Sequence, residues 1–134
     1  MTVRTRGSTW ESLDRMMRCP PQDLGTALWW ATLAHHLGEL EEELALTDVT
    51  GLAAQITTDA PHFAAAARRL PPIHEQAQRD AARLRQGAND QAGPPTAARD
   101  LCDAVDALLG RVRTLHRLSS DLLLDAYERD IGGD

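Results

Sequence analysis

WATLAHHLGELEEEL, residues 30–44, places Trp30, Leu33, Leu37, Leu40 and Leu44 at 3-4-3-4 spacing. On a helix turning about 100° per residue those five side chains form one stripe. A half-buried strand would need strict alternation, and this stretch has none. The reading is an amphipathic helix from about Pro21, a favourable first helical residue, to about Leu46. Working outward, the same periodicity recurs. Phe63, Ala67, Leu70, His74, Ala77, Ala81 and Leu84 keep 4-3-4-3-4-3 spacing straight through Pro71-Pro72. A single long helix kinked at the proline pair is therefore expected, because each proline removes a backbone donor. Leu101, Val105, Leu108, Val112, Leu115, Ser119, Leu122 and Ala126 form the seam of a last helix, reaching from Pro95 or Thr96 to Arg129.

The remaining segments are short. TWESLDRMMR, residues 9–18, can make two or three turns of helix, with Leu13, Met16 and Met17 on one side and Ser8 or Thr9 as a cap. TDVT turns the chain after the second helix, GLAAQITT is helical in character, and Asp59-Ala60-Pro61 interrupts it. GANDQAGPP, residues 87–95, reads as a loop, and residues 130–134 as a tail ending in Gly132-Gly133. The expected fold is all-α, a single-domain up-down four-helix bundle with a short first helix and three long ones.

Composition narrows the function. The chain has 134 residues, enough for one core. Aromatic residues make up 4%, so alanine and leucine fill most of the interior, which suits helix against helix. All 14 basic residues are arginine, a mark of GC-rich coding. A net charge of −6 argues against nucleic acid or an anionic membrane as the partner. Arg111, Arg113 and Arg117 stand among Asp103, Asp106 and Asp121 and read as a solvated face. No apolar run reaches the roughly 20 residues of a membrane span. MTVRTRGSTWESLD has no apolar segment behind its arginines, and Cys19 and Cys102 show no metal-ligand spacing, so a cytoplasmic setting is expected. Nothing resembles a nucleophile elbow or a phosphate loop, which leaves a hydrolytic enzyme with little support.

The histidines carry the chemistry. His36 lies about 60° from the centre of its helix's seam, with Glu39 and Glu43 on the same flank at i+3 and i+7. His35 points away from the seam but has Glu39 at i+4. One imidazole with two carboxylates on a single flank, as His36 has, suits a hard or borderline transition metal, although the same residues can simply solvate a helix. His74 takes a seam position, where a buried imidazole needs partners for its nitrogens. It is either a metal ligand or a core histidine bonded to a backbone carbonyl freed by the proline kink. His116 adjoins the last seam, and Asp121 follows it about 140° further round. His62, after Pro61, is read as exposed and incidental.

These motifs resemble those of the hemerythrin-like, or HHE cation-binding, family. His35-Glu39 matches its HxxxE, His36-Leu37-Gly38-Glu39 matches the HxxE variant, and His116-Asp121 matches HxxxxD. RLPPIHEQ, DAPHFAAAARRL and the tail HRLSSDLLLDAYERDIGGD are similar to stretches of a bacterial branch of that family. The resemblance covers residues 25–134. It implies a four-helix bundle holding one or two non-haem iron ions, or manganese or zinc, and binding or sensing dioxygen or another small ligand. The ligands it implies are His36, Glu39, His74, His116 and Asp121, with Glu43 and His35 as further candidates.

A different reading starts from what is missing. TWESLDRMMR has no histidine, and Gln78 stands at i+4 from His74, where the family has another. Trp29-Trp30 widens the apolar arc of the second helix, with Leu24 and Leu28 on its other side. A metal-free bundle acting as an interaction or regulatory module would use Trp29 and these neighbours to meet a second copy or a protein partner.

Overall fold

The structure, a computed structural model, describes residues 7–18, 26–90 and 95–129. Those residues are 93% helical with no strands, so the all-α expectation holds. The elements are α1 (Gly7–Met17), α2 (Ala27–Leu46), α3 (Val49–Asp59), a 3₁₀ turn (Pro61–Phe63), α4 (Ala64–Ala67), α5 (Leu70–Asp90) and α6 (Pro95–Leu123). A π-helical turn, Leu124–Arg129, follows α6.

Helix α2 is built as its seam requires. Trp30, Leu33, Leu37, Leu40 and Leu44 are all buried, and Thr26 caps the helix by accepting from the Trp29 N–H at 3.2 Å. The Pro21 start and the Gly132-Gly133 tail lie outside the described residues, as do the side chains of Ser8 and Thr9. Helix α2 packs along α5, α5 along α6, and α1 on both α2 and α6, which closes a ring of four. Within that ring α2 stands diagonal to α6, and α1 to α5. The shared core runs through Leu13, Leu33, Leu37, Leu40, Leu70, Val105, Leu108, Leu109 and Val112. Each leucine buried this way stabilises the fold by about 1.5–3 kcal/mol.

Thr47 and Asp48 turn the chain out of α2. Asp48 caps α3 by accepting from the Gly51 N–H at 2.9 Å. A Cβ on residue 51 would lie 2.1 Å from the Asp48 carboxylate, so glycine is what lets the cap close over the helix end.

The third helix of the bundle is bent by 25°, as the proline pair predicts. Pro71 and Pro72 have no N–H to offer Ala67 and Arg68 O, and the helix breaks into a turn at Arg68-Arg69. Both prolines then sit in the first turn of α5, where the missing donors cost nothing. Two boundaries differ from expectation. Helix α5 continues through Gly87 to Asp90, four residues into the stretch read as loop, because Leu84 and Ala88 are still buried on its core face. The π turn after Leu123 was not legible from periodicity, since Ala126 stays buried on both readings.

Candidate metal centre

On α2 the polar flank brings three of the expected ligands together. His35 Nε2 and His36 Nδ1 both approach Glu39 Oε1, at 3.3 and 3.1 Å. One ligand atom of each residue lies within 4.8 Å of the others. Helical geometry explains this: i and i+1 are splayed by about 100°, and a carboxylate at i+4 from one and i+3 from the other lies between them. His35 is 70% exposed, His36 22% and Glu39 24%, so the cluster stands on the shoulder of the core with one open side. The choice between His35 and His36 therefore dissolves, because both share the same oxygen.

Below it lies a surface groove formed by Ala34, His35, Gly38, Glu42, Ala45 and Arg85. Arg85, on α5, crosses over Gly38 to pair with Glu41. That hydrogen bond, with the Glu41 charge, raises the Arg85 pKa further. Glu42 stays exposed beside the cluster and adds negative charge where a cation would approach.

The other expected ligands are elsewhere. His74 is buried, and its Nε2 donates to Leu44 O at 2.7 Å. Leu44 belongs to the last turn of α2, whose carbonyls lack intrahelical donors. Thr47 N also reaches that oxygen, at 3.3 Å. His74 is thus a core histidine satisfied by a backbone carbonyl, and the carbonyl comes from α2 rather than from the proline break.

His116 and Glu43 line a separate cavity between α2, α3 and α6. Asp121 is exposed, and α6 is regular from His116 to Leu123, so the rotation of about 140° between His116 and Asp121 stands. The π turn begins only after both. His62 is exposed and packs on Phe63, with ring centroids 4.3 Å apart. Among the described residues the ligand set drawn from three helices does not form one cluster; His35, His36 and Glu39 form it alone.

The Trp29 surface also needs correction. Trp29 and Trp30 are each 5% exposed and meet edge to face, with ring centroids 5.0 Å apart. Helix α1 packs against α2, and Trp29 belongs to the core rather than to a docking face. Leu28 is exposed there, at 77%, and Leu24 lies outside the described residues.

Several polar contacts between helices carry no sequence signal of function. Asp80 on α5 is 6% exposed and accepts from Arg111 on α6, from Arg83 at 3.3 Å and from Gln76 at 2.9 Å. Arg113 reaches Asp14 on α1 at 3.2 Å. The arginines read as a solvated face thus include two cross-helix ties. The one available hint was a carboxylate beside the seam, between Ala77 and Ala81.

Compared with protein-family models, curated proteins and solved structures, the chain matches none. Its functional reading rests on its own residues.

Proposed function

We propose that this protein is a hemerythrin-like metal-binding helical bundle that holds a single divalent transition-metal ion at His35, His36 and Glu39. The observation that carries the reading is the convergence of two imidazole nitrogens on one carboxylate oxygen at 3.1 and 3.3 Å. Bonds of about 2.1 Å in a tetrahedral arrangement need donor atoms about 3.4 Å apart. Both nitrogens thus stand at about that distance from the carboxylate oxygen, and all three donors lie within 4.8 Å of one another.

Two nitrogens and one carboxylate suit iron, manganese or zinc. The resemblance favours iron. One ion rather than two is proposed because, among the described residues, His74, His116 and Asp121 lie outside the cluster. Three protein donors leave coordination positions open, and a bound metal would supply a Lewis-acidic place there for dioxygen or another small ligand. The chain's own part is to fix the donors on a rigid helix, supported beneath by Leu33, Leu37 and Leu40.

Metal content per chain, by elemental analysis after purification without chelators from iron-supplemented cells, tests this directly. The expected result is about one metal per chain in the parent, lost in both His36→Ala and Glu39→Ala while circular dichroism stays unchanged. Absence of stoichiometric metal from the parent chain would sink the reading.

A further inference from the structure

The cavity between α2, α3 and α6 has a volume of about 100 Å³. Its floor is hydrocarbon, contributed by Leu40, Leu44, Val49, Leu52, Val112 and Leu115. Its rim is polar: Glu43, Thr47, His116, Ser119 and Ser120. An enclosed apolar cavity of about 150 Å³ takes up benzene, so the space here, open at its rim, has room for a hydrocarbon body of roughly four or five carbons.

The rim decides the rest of the ligand. The Thr47 hydroxyl donates its proton to Glu43 O at 2.9 Å, and the Ser119 hydroxyl donates to Leu115 O at 2.8 Å. Each therefore turns only lone pairs toward the cavity. The Glu43 side chain adds a carboxylate that meets no cation among the described residues. Glu43, Thr47 and Ser119 thus gather acceptors at one end of an apolar chamber, with the His116 imidazole and the Ser120 hydroxyl beside them. A ligand that satisfies them must bring donors and positive charge on a compact hydrocarbon.

We propose that this cavity binds small primary ammonium compounds, with the alkyl body against Leu52 and Val112 and the ammonium group on the Glu43 carboxylate. The two ends contribute separately. Burial of the alkyl group removes apolar surface from water, and the ammonium makes charge-assisted hydrogen bonds at the rim. The site is distinct from the His35-His36-Glu39 cluster and needs no metal.

Calorimetric titration of the chelator-treated full chain with isoamylamine tests the assignment, beside isoamyl alcohol, which has the same hydrocarbon without the charge. Saturable binding of the amine at one site is expected, with the alcohol at least about tenfold weaker. Glu43→Gln should weaken the amine about tenfold or more and leave the alcohol unchanged. Leu52→Phe, which fills the chamber, should remove both, with circular dichroism confirming that each variant is folded. The proposal is overturned if the parent chain shows no saturable amine binding. It is equally overturned if amine and alcohol bind alike, or if Glu43→Gln binds the amine as the parent does.

Discussion

Helix α5 and helix α2 both carry polar side chains beside an apolar seam, and the two treat them in opposite ways. On α5, His74 and Asp80 are buried, and each is committed to another helix: His74 to Leu44 O of α2, Asp80 to Arg111 of α6. On α2, His35, His36 and Glu39 stay on the shoulder and interact with one another, within one helix. Burial makes the difference. A polar group withdrawn from water must find its partner among groups that are also withdrawn, and on α5 those lie across the interface. A half-exposed group keeps solvent as an alternative partner, so it can exchange water for a ligand. Imidazoles of the same chemistry thus hold the fold in one place and remain open to a cation in the other.

The sharpest way to break that contrast is His74→Ala. Losing a buried ring and its hydrogen bond should lower stability by about 2–4 kcal/mol in urea unfolding. Metal content should stay at the parent's value. Loss of metal with the fold intact would join His74 to the site and erase the distinction. Asp80→Ala comes next. It leaves the Arg111 guanidinium without its partner on α5, at a cost of about 2 kcal/mol, discounted because Arg111 is 39% exposed.

On the α2 side stability should barely respond. Glu39→Gln in the metal-free chain should change the unfolding free energy by less than about 0.5 kcal/mol, while titration with ferrous iron or zinc shows affinity reduced tenfold or more. A stability loss comparable to that of His74→Ala would mean the cluster is a structural tie after all.

The smallest effect belongs to an exposed contact at the far end, where Tyr127 donates to Asp59 Oδ2 at 2.8 Å beside Gln55 at 2.7 Å. The Gln55 hydrogen bond and then that of Tyr127 hold the Asp59 carboxyl below its ordinary range. The Asp59 contact in turn raises the Tyr127 hydroxyl. A lowered carboxyl pKa contributes stability above its unfolded value and loses it as pH falls through the folded one. A raised phenol contributes below its unfolded value and loses it as pH rises through the folded one. Tyr127→Phe should therefore leave mid-range stability almost unchanged and move the Asp59 titration, followed by carboxyl NMR, upward. An unmoved Asp59 would show that the hydrogen bond does not form in solution.

Much of this architecture was legible in the sequence. The 3-4-3-4 spacing from Trp30 to Leu44 fixes which side of α2 is buried, because 3.6 residues per turn is a local rule that needs no partner. The same rule sets His36 at the core boundary and His35 in solvent, and brings Glu39 between them. Pro71-Pro72 announces the bend, since a missing N–H is a property of the residue itself. The partners of the buried polar groups were not legible. His74 could be placed in the core, yet its acceptor is 30 residues away, and only the register of α5 against α2 selects Leu44 O. Trp29 shows the same limit: a wide apolar arc is visible in sequence, but whether it is covered depends on how the helices pack. The chamber beneath Glu43 and His116 is a gap left where α2, α3 and α6 meet. The sequence determined the faces of the helices, because faces follow from spacing along one chain. The tertiary structure alone decided which atoms meet across them, because pairing depends on how separate helices slide and tilt against one another.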